Sequence, residues 1–323
     1  MDSPLAGWEQ ALRRARQQGL QGLLAHHHAR GDGPWRPWAA RAYQEQFLFN
    51  TRLLAMLGEV VTILQARQLP VMALKGAALV GSLYPELGLR PLSDIDVLVR
   101  AQDLPEVEEA LLGHGFYAAK GGNFQWQGLS LDLHVDLVSA RRIRGRAALF
   151  RFPLEDIWAR AVPHPRFPGL LCLEAEDQFL HLCVHALKHG HSRRIWAEDL
   201  HRLLPQVNGL RLWQRAHSFG CQRPLLYGLC WMGQPPRGLS LSWWERAYLA
   251  RVAREAPCEA LAPWVCAALL PDWRRRLAFV GECLWPGREV LQDLYPGVVG
   301  WRLGWRRLRD LWGRFQASFM APT

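Results

Sequence analysis

Residues 90–100 read RPLSDIDVLVR, and the two aspartates in that run, Asp94 and Asp96, decide how the chain is read. Aspartate is a poor strand former, and carboxylates near a core are costly to desolvate unless something pairs with them. Side chains alternate along a strand, so Asp94 and Asp96 face one way while Ile95, Val97 and Val99 face the other. Residues 129–138, LSLDLHVDLV, alternate in the same manner. Asp132, His134 and Asp136 share one face there, and Leu131, Leu133, Val135 and Leu137 the other. If the two strands are neighbours, three carboxylates converge. Like charges so close raise each other's pKa. A divalent cation with hard oxygen ligands reverses that penalty. Two such ions bridged by shared aspartates make a phosphoryl- or nucleotidyl-transfer site. A lone D-x-D is more often a solvated strand end, so the surrounding chain has to decide.

Working outward, PVMAL (70–74) reads as a short strand, and KGAALVGSLY as a glycine turn into a helix. DIDVLV (94–99) is a second strand. DLPEVEEALLGHG (103–115) is a helix with an aspartate N-cap and a glycine stop. FYAAKGGNFQWQ (116–127) is a hairpin turning at Gly121-Gly122-Asn123. Upstream, apolar residues at Leu53, Leu54, Leu57, Val60, Val61 and Leu64 have helical spacing, and RGDGPWRP (30–37) divides the N-terminal helices. Downstream of residue 173 the chain reads as helices split by prolines. The expected class is α+β: N-terminal helices over 1–69, a small mixed-sheet core over 70–172, and a larger C-terminal helical region over 173–323.

The ordered set LKGAAL, YPELGLRPLSDIDVLV and LDLHVDL resembles the uncharacterised bacterial branch of the DNA polymerase β-like nucleotidyltransferase superfamily, over residues 71–137 and more loosely to about 204. The resemblance implies a palm-like core that moves NMP from an NTP to a hydroxyl or phosphate acceptor. It implies two Mg²⁺ or Mn²⁺ ions held by Asp94, Asp96 and Asp132, with Asp132 also helping to deprotonate the acceptor. Gly76 would face the triphosphate, and Arg90 and Ser93 flank the motif as nucleotide-binding positions. Similar proteins usually carry a phosphate-binding serine after the glycine turn; here the position is Ala77, and Lys75 would supply a point charge instead. The acceptor stays open, with a small molecule or biosynthetic intermediate favoured.

His134 lies between two acids on the polar face and is expected to orient Asp132 or to touch substrate. Asp136 reads as a spare carboxylate at a strand end. In HLCVHALKHGHS, His181, His185 and His189 form one stripe, but position 182 is leucine, so the glutamate of an H-E-x-x-H zinc motif is missing. The resemblance instead places His185 and Lys188 along the cleft, followed by WAEDLHRLL, whose Asp199 lines the cleft or holds helices together.

The chain has 323 residues and a formal net charge of +10. That charge admits a nucleic-acid or acidic-membrane partner. However, Lys75, Lys120 and Lys188 are its only lysines, and so lopsided a ratio favours compositional bias; nucleic acid is not the favoured partner. Near the C-terminus, Trp301, Trp305, Leu308, Trp312 and Phe315 share a helical stripe amid arginines. The 300–319 segment could touch a membrane surface, but docking on the helical region is the commoner outcome for such a helix. No signal peptide and no membrane span is expected, because arginines and prolines interrupt each apolar run; a cytoplasmic location follows as an expectation. Seven scattered cysteines without C-x-x-C pairs suggest buried thiols. Two rival readings remain. A D-x-D glycosyltransferase would need a nucleotide-binding βαβ unit well before Asp94. A non-catalytic nucleotide-binding or toxin–antitoxin-type interaction module is kept open by Ala77.

Overall fold

A computed structural model describes residues 3–119, 123–256 and 258–319. The chain divides into two compact units. The first comprises Met1–Val135, Glu155–Glu174 and Arg193–Leu203; the second comprises Asp136–Leu154, Ala175–Ser192 and Leu204–Thr323.

The first unit opens with three helices: α1 (Pro4–Gln18), α2 (Gln21–Ala29) and α3 (Arg36–Gln65). Strands β1 (Val71–Ala73), β2 (Ile95–Leu98), β3 (Tyr117–Ala118), β4 (Asn123–Trp126), β5 (Leu129–His134), β6 (Val162–Pro163) and β7 (Leu170–Cys172) form one mixed sheet. Its order is β3-β4-β5-β2-β1-β7-β6. Strand β2 lies between antiparallel β1 and parallel β5. Every residue of β2 is buried, as a central strand requires. Helices α4 (Lys75–Leu79), α5 (Leu104–Leu112) and α9 (Arg194–Leu203) also belong to this unit. Leu53, Leu57, Val60 and Leu64 of α3 pack with Val71, Ile95, Val97 and Leu131 in one core, each side chain contributing about 1.5–3 kcal/mol by leaving water.

The architecture is α+β, as the alternation patterns implied. Several details differ. Helix α3 is long and apolar enough, by length and composition alone, to cross a membrane, contrary to the expectation that no run qualifies. Half of that apolar window is buried within the protein, and its apolar stripe is the one that meets the sheet. Strand β5 stops at His134 rather than continuing to 138. Asp136 therefore lies beyond the strand, where its carboxylate accepts hydrogen bonds from the backbone N–H groups of Val138 and Ala140 at 2.8 and 3.1 Å. That Asx-type turn outcompetes further strand pairing. Asp103 makes no side-chain cap on α5. The expected hairpin between β3 and β4 is present as an antiparallel pair, while its Gly121-Gly122 tip lies outside the described residues. Ahead of Asp94 the described residues form α1–α3, α4 and the three-residue β1, not the βαβ unit that a glycosyltransferase reading needs.

The N-terminal helices grip the loop leading into β2. Gly22 of α2 runs so close to that loop that an added Cβ would lie 2.2 Å from the Gly88 carbonyl oxygen. Asn50 of α3 is fully buried. Its Nδ2 donates to the Leu87 and Arg90 carbonyls, the latter at 2.8 Å, and its Oδ1 accepts from the Leu92 N–H at 3.1 Å. Glu86 accepts from His26, Arg30 and Tyr43. His26 takes this role while His28 packs edge-on against Trp35, so the consecutive histidines serve different neighbours.

The second unit contains α6 (Gly145–Leu149), α8 (Ala175–Lys188), α10 (Gly209–Ser218), α11 (Gln222–Trp231), α12 (Trp243–Ala253), α13 (Ala262–Ala268), α14 (Trp273–Leu284), α15 (Arg288–Leu294) and α16 (Trp301–Phe319); α7 (Leu154–Ala159) spans the junction of two segments. All seven cysteines are free thiols and five are buried.

Replacing Asn50 with leucine strands the buried Arg90 carbonyl, the half-buried Leu87 carbonyl and the buried Leu92 N–H. Each group left without a partner costs about 1–3 kcal/mol. Urea unfolding of Asn50→Leu is expected to show a lower midpoint with unchanged slope; an unaltered midpoint would remove Asn50 from its role as the loop's clamp.

Candidate active site

The site is built on the facing strands β2 and β5. Their parallel register sets Asp96 directly beside Asp132 and Leu98 beside His134. Period-two alternation then places Asp96, Asp132 and His134 on one face, while Ile95, Val97 and Leu131 enter the core. One carboxylate oxygen from each of Asp96 and Asp132 and one ring nitrogen of His134 lie within 4.8 Å of one another. Among the described residues no other group of three such donors converges. Asp94 immediately precedes β2, its carboxylate accepting from the Ser93 hydroxyl at 2.7 Å.

Two nitrogen-bearing side chains meet at one oxygen of Asp96. Lys75 Nζ is 2.5 Å from Asp96 Oδ1, and His134 Nε2 is 2.7 Å from the same atom. Burial alone would raise the Asp96 carboxyl; the Lys75 ammonium and then His134 outweigh it and hold the group well below the usual carboxylate range. Asp132 behaves oppositely. Burial, then the neighbouring Asp96 and Asp94 carboxylates, push it up to about 6. Asp94 is raised too, by burial first and Asp96 second. Three acids that disfavour one another's charge, one of them already attracting cations, suit a hard divalent ion. Asp96 and Asp132 could supply oxygen ligands, Asp94 lies close enough to share the same field, and a His134 nitrogen adds a donor compatible with Mn²⁺.

His134 bonds Asp96, not Asp132. The sequence reading had it orient Asp132 or touch substrate; the register decides, because His134 is one pleat beyond Asp132. The turn after β1 also differs from expectation. The left-handed residue is Lys75, with φ +48°, rather than a glycine. Such a backbone is strained for a non-glycine residue and is found where surrounding structure over-determines it. Gly76 matters for its missing side chain. A Cβ there would lie 2.2 Å from Arg90 Nη1 and 2.5 Å from Leu92 Cδ2, so the glycine is the notch into which Arg90 fits. Ala77 is buried in the core, so its methyl group fills space between helix and sheet.

Arg90 was expected near nucleotide. Its guanidinium is buried and forks onto Asp199 of α9, with Nη2–Oδ2 at 2.7 Å and Nε–Oδ1 at 3.0 Å. The Tyr84 hydroxyl donates to the same Asp199 at 2.7 Å, and Arg202 lies over the Tyr84 ring at 4.6 Å. Asp199, fully buried, thus joins α9 to the loop before β2. Tyr84 and Arg193 are the residues that sequence reading missed. Arg193 is half-buried; burial and then the like charge of Arg90 lower its pKa, while Asp94 and Asp199 oppose. A signal for Tyr84 existed in its position six residues before Arg90, but its partner is 115 residues away. His185 and Lys188 belong to the second unit, where Lys188 Nζ donates to Ser139 Oγ at 3.1 Å and the His185 ring packs against His189 at 4.7 Å.

The sequence model of a family described as "Uncharacterised nucleotidyltransferase" matches residues 4–234. That span covers the N-terminal helices, the whole sheet and the chain through α11. No curated protein matches the chain, and no solved structure does.

Removing one member of a buried ion pair typically costs about 3–5 kcal/mol, whereas replacing both with apolar groups is often neutral. Asp199→Ala should therefore lower the unfolding free energy by that amount in urea titrations, and Arg90→Met with Asp199→Leu should recover most of it. A full additive loss in the double variant would contradict the pairing.

Proposed function

The chain belongs to the uncharacterised nucleotidyltransferase family, and from that premise we propose that it moves NMP from an NTP to a hydroxyl or phosphate acceptor, releasing pyrophosphate. The observation that carries this reading is the lateral pairing of Asp96 with Asp132 on adjacent parallel strands, with Asp94 directly ahead of β2. Asp94, Asp96 and Asp132 would hold two Mg²⁺ or Mn²⁺ ions. Bound there, such ions supply charge neutralisation of the phosphates and activation of the attacking oxygen.

The chain's own residues do the remainder. A carboxylate oxygen of Asp132 takes the proton from the acceptor. The acceptor oxygen bonds to the α-phosphorus as the bond from that phosphorus to the bridging oxygen breaks, and the electron pair leaves with pyrophosphate. Lys75, already beside Asp96, provides a compact positive charge that can turn toward a phosphate oxygen. His134 keeps Asp96 in its rotamer through Nε2. Arg90 acts indirectly, by filling the notch at Gly76 and fixing the loop that carries Ser93 and Asp94.

Thermal unfolding of the purified protein with each NTP, with and without Mg²⁺, tests the reading. Ligand at about 100 times its Kd stabilises by about 2.7 kcal/mol, so the correct nucleotide should raise Tm only when Mg²⁺ is present, and Asp96→Ala should abolish the rise. With α-labelled nucleotide, Asp132→Ala should keep its fold and lose label transfer. Absence of a Mg²⁺-dependent shift with all four nucleotides, or wild-type transfer by Asp132→Ala, would refute the assignment.

A further inference from the structure

Helix α16 is docked the opposite way round from an ordinary amphipathic helix. Trp301, Trp305, Leu308 and Trp312 recur at i, i+4, i+7 and i+11, which is one stripe. They are 73 %, 67 %, 54 % and 56 % exposed. The inward side is mixed: Leu303 and Leu311 are half-buried on either side of the buried Arg307, with Gly304 and Asp310 beside them. Arg307 is buried; its Nε and Nη2 donate to the Leu284 and Cys283 carbonyls at 2.9 and 2.8 Å, and its Nη1 reaches the Tyr295 hydroxyl at 3.5 Å. Those carbonyls are the unsatisfied C-terminal end of α14, where a cation is favoured. Gly304 lets α16 approach Trp285, whose ring would lie 3.3 Å from an added Cβ. The sequence reading, in which the tryptophans dock and the arginines face water, is therefore inverted at Arg307.

Helix α14 repeats the theme. Trp273 and Leu277, one turn apart, are 65 % and 62 % exposed, and Arg274, Arg275 and Arg276 beside them face outward. Cations also stack on these indoles: Arg274 over Trp273 at 5.5 Å and Arg302 over Trp301 at 5.9 Å. A soluble monomer seldom leaves so many large apolar side chains in water. Indoles favour the headgroup level of a bilayer, and arginines can lie flat along apolar surface while their heads meet phosphate.

We propose that the exposed Trp/Arg face of α16, with the Trp273–Leu277 edge of α14, is a docking surface for an anionic lipid bilayer. Charge complementarity selects this occupant. Helix α16 contains five arginines against one aspartate, and Arg302, Arg306 and Arg309 are exposed along the tryptophan stripe. Shape agrees: the tryptophans run along the outer ridge of a helix, which meets a plane, whereas single-stranded nucleic acid is held in grooves. Among the described residues only α3 is apolar enough to span a membrane, so α16 lies on the bilayer rather than crossing it.

Sedimentation of the full-length protein with vesicles tests the surface directly. Vesicles of about 30 % phosphatidylglycerol in phosphatidylcholine should carry the protein down, and pure phosphatidylcholine vesicles should carry far less. The triple variant Trp301→Ser, Trp305→Ser, Trp312→Ser should lose at least tenfold in partitioning while melting at the wild-type temperature, since all three side chains are exposed. Arg302→Gln with Arg309→Gln should lose about fivefold per charge removed, and wild-type partitioning should fall as salt is added, so that its advantage over this variant shrinks. Equal sedimentation of the triple variant, or no sedimentation with anionic vesicles, overturns the proposal. So does a tryptophan-dependent dimer in light scattering, or tryptophan-dependent RNA binding, in the absence of vesicle binding.

Discussion

The ion pair between Arg90 and Asp199 is the contact on which the site's geometry rests. Both groups are buried, so each depends on the other for its charge to be tolerable. Through that pair, α9 reaches across the chain to the loop ahead of β2. Asn50 holds the same loop from the other side, and Gly76 is bare because Arg90 occupies the space its side chain would need. A fork of hydrogen bonds, a buried amide and a missing methyl group therefore combine to fix where β2 begins, and with it the positions of Asp94 and Asp96. Acids that repel each other need such support, since a loosely held carboxylate would swing away from its neighbours rather than bear the field.

The acids themselves were legible in the sequence because alternation leaves little choice. Once 94–99 and 129–138 are read as strands, Asp96 and Asp132 face the same side if the strands pair in the right register. What alternation does not specify is register, and register made His134 a partner of Asp96 instead of Asp132. The supporting contacts were illegible for a different reason. Arg90 and Asp199 are 109 residues apart, and nothing in either local sequence marks the other. Short strands such as Val162–Pro163 and Leu170–Cys172 carry too few residues to show a period. Gly76 was recognised as special, but as backbone open to a triphosphate; its missing side chain also makes room for Arg90, and the left-handed conformation belongs to Lys75.

Arginine has two distinct uses in this chain, and the net charge conceals the difference. Arg90 and Arg307 are buried and serve as hydrogen-bond hubs, one on a carboxylate and the other on the carbonyl end of a helix. Guanidinium suits both tasks, being planar, permanently charged and less strongly hydrated than an ammonium. Arg274 of α14 and Arg302 of α16 are different in kind: exposed, they stack beside tryptophans and project charge outward. An overall charge of +10 cannot separate internal bracing from an external field, whereas the burial of each guanidinium does.

The first unit is assembled from three stretches of chain, the last of them Arg193–Leu203, and this has a consequence for synthesis. All three acids and their clamping helices have left the ribosome long before α9 exists. Translation proceeds at about 5–20 residues per second, so the 109 residues between Arg90 and Asp199 take roughly 5–22 s to make. During that interval the guanidinium lacks the carboxylate that accepts its forked hydrogen bonds, and burying it without that partner is costly. The fork that fixes the start of β2 can therefore form only when the far end of the unit has been made.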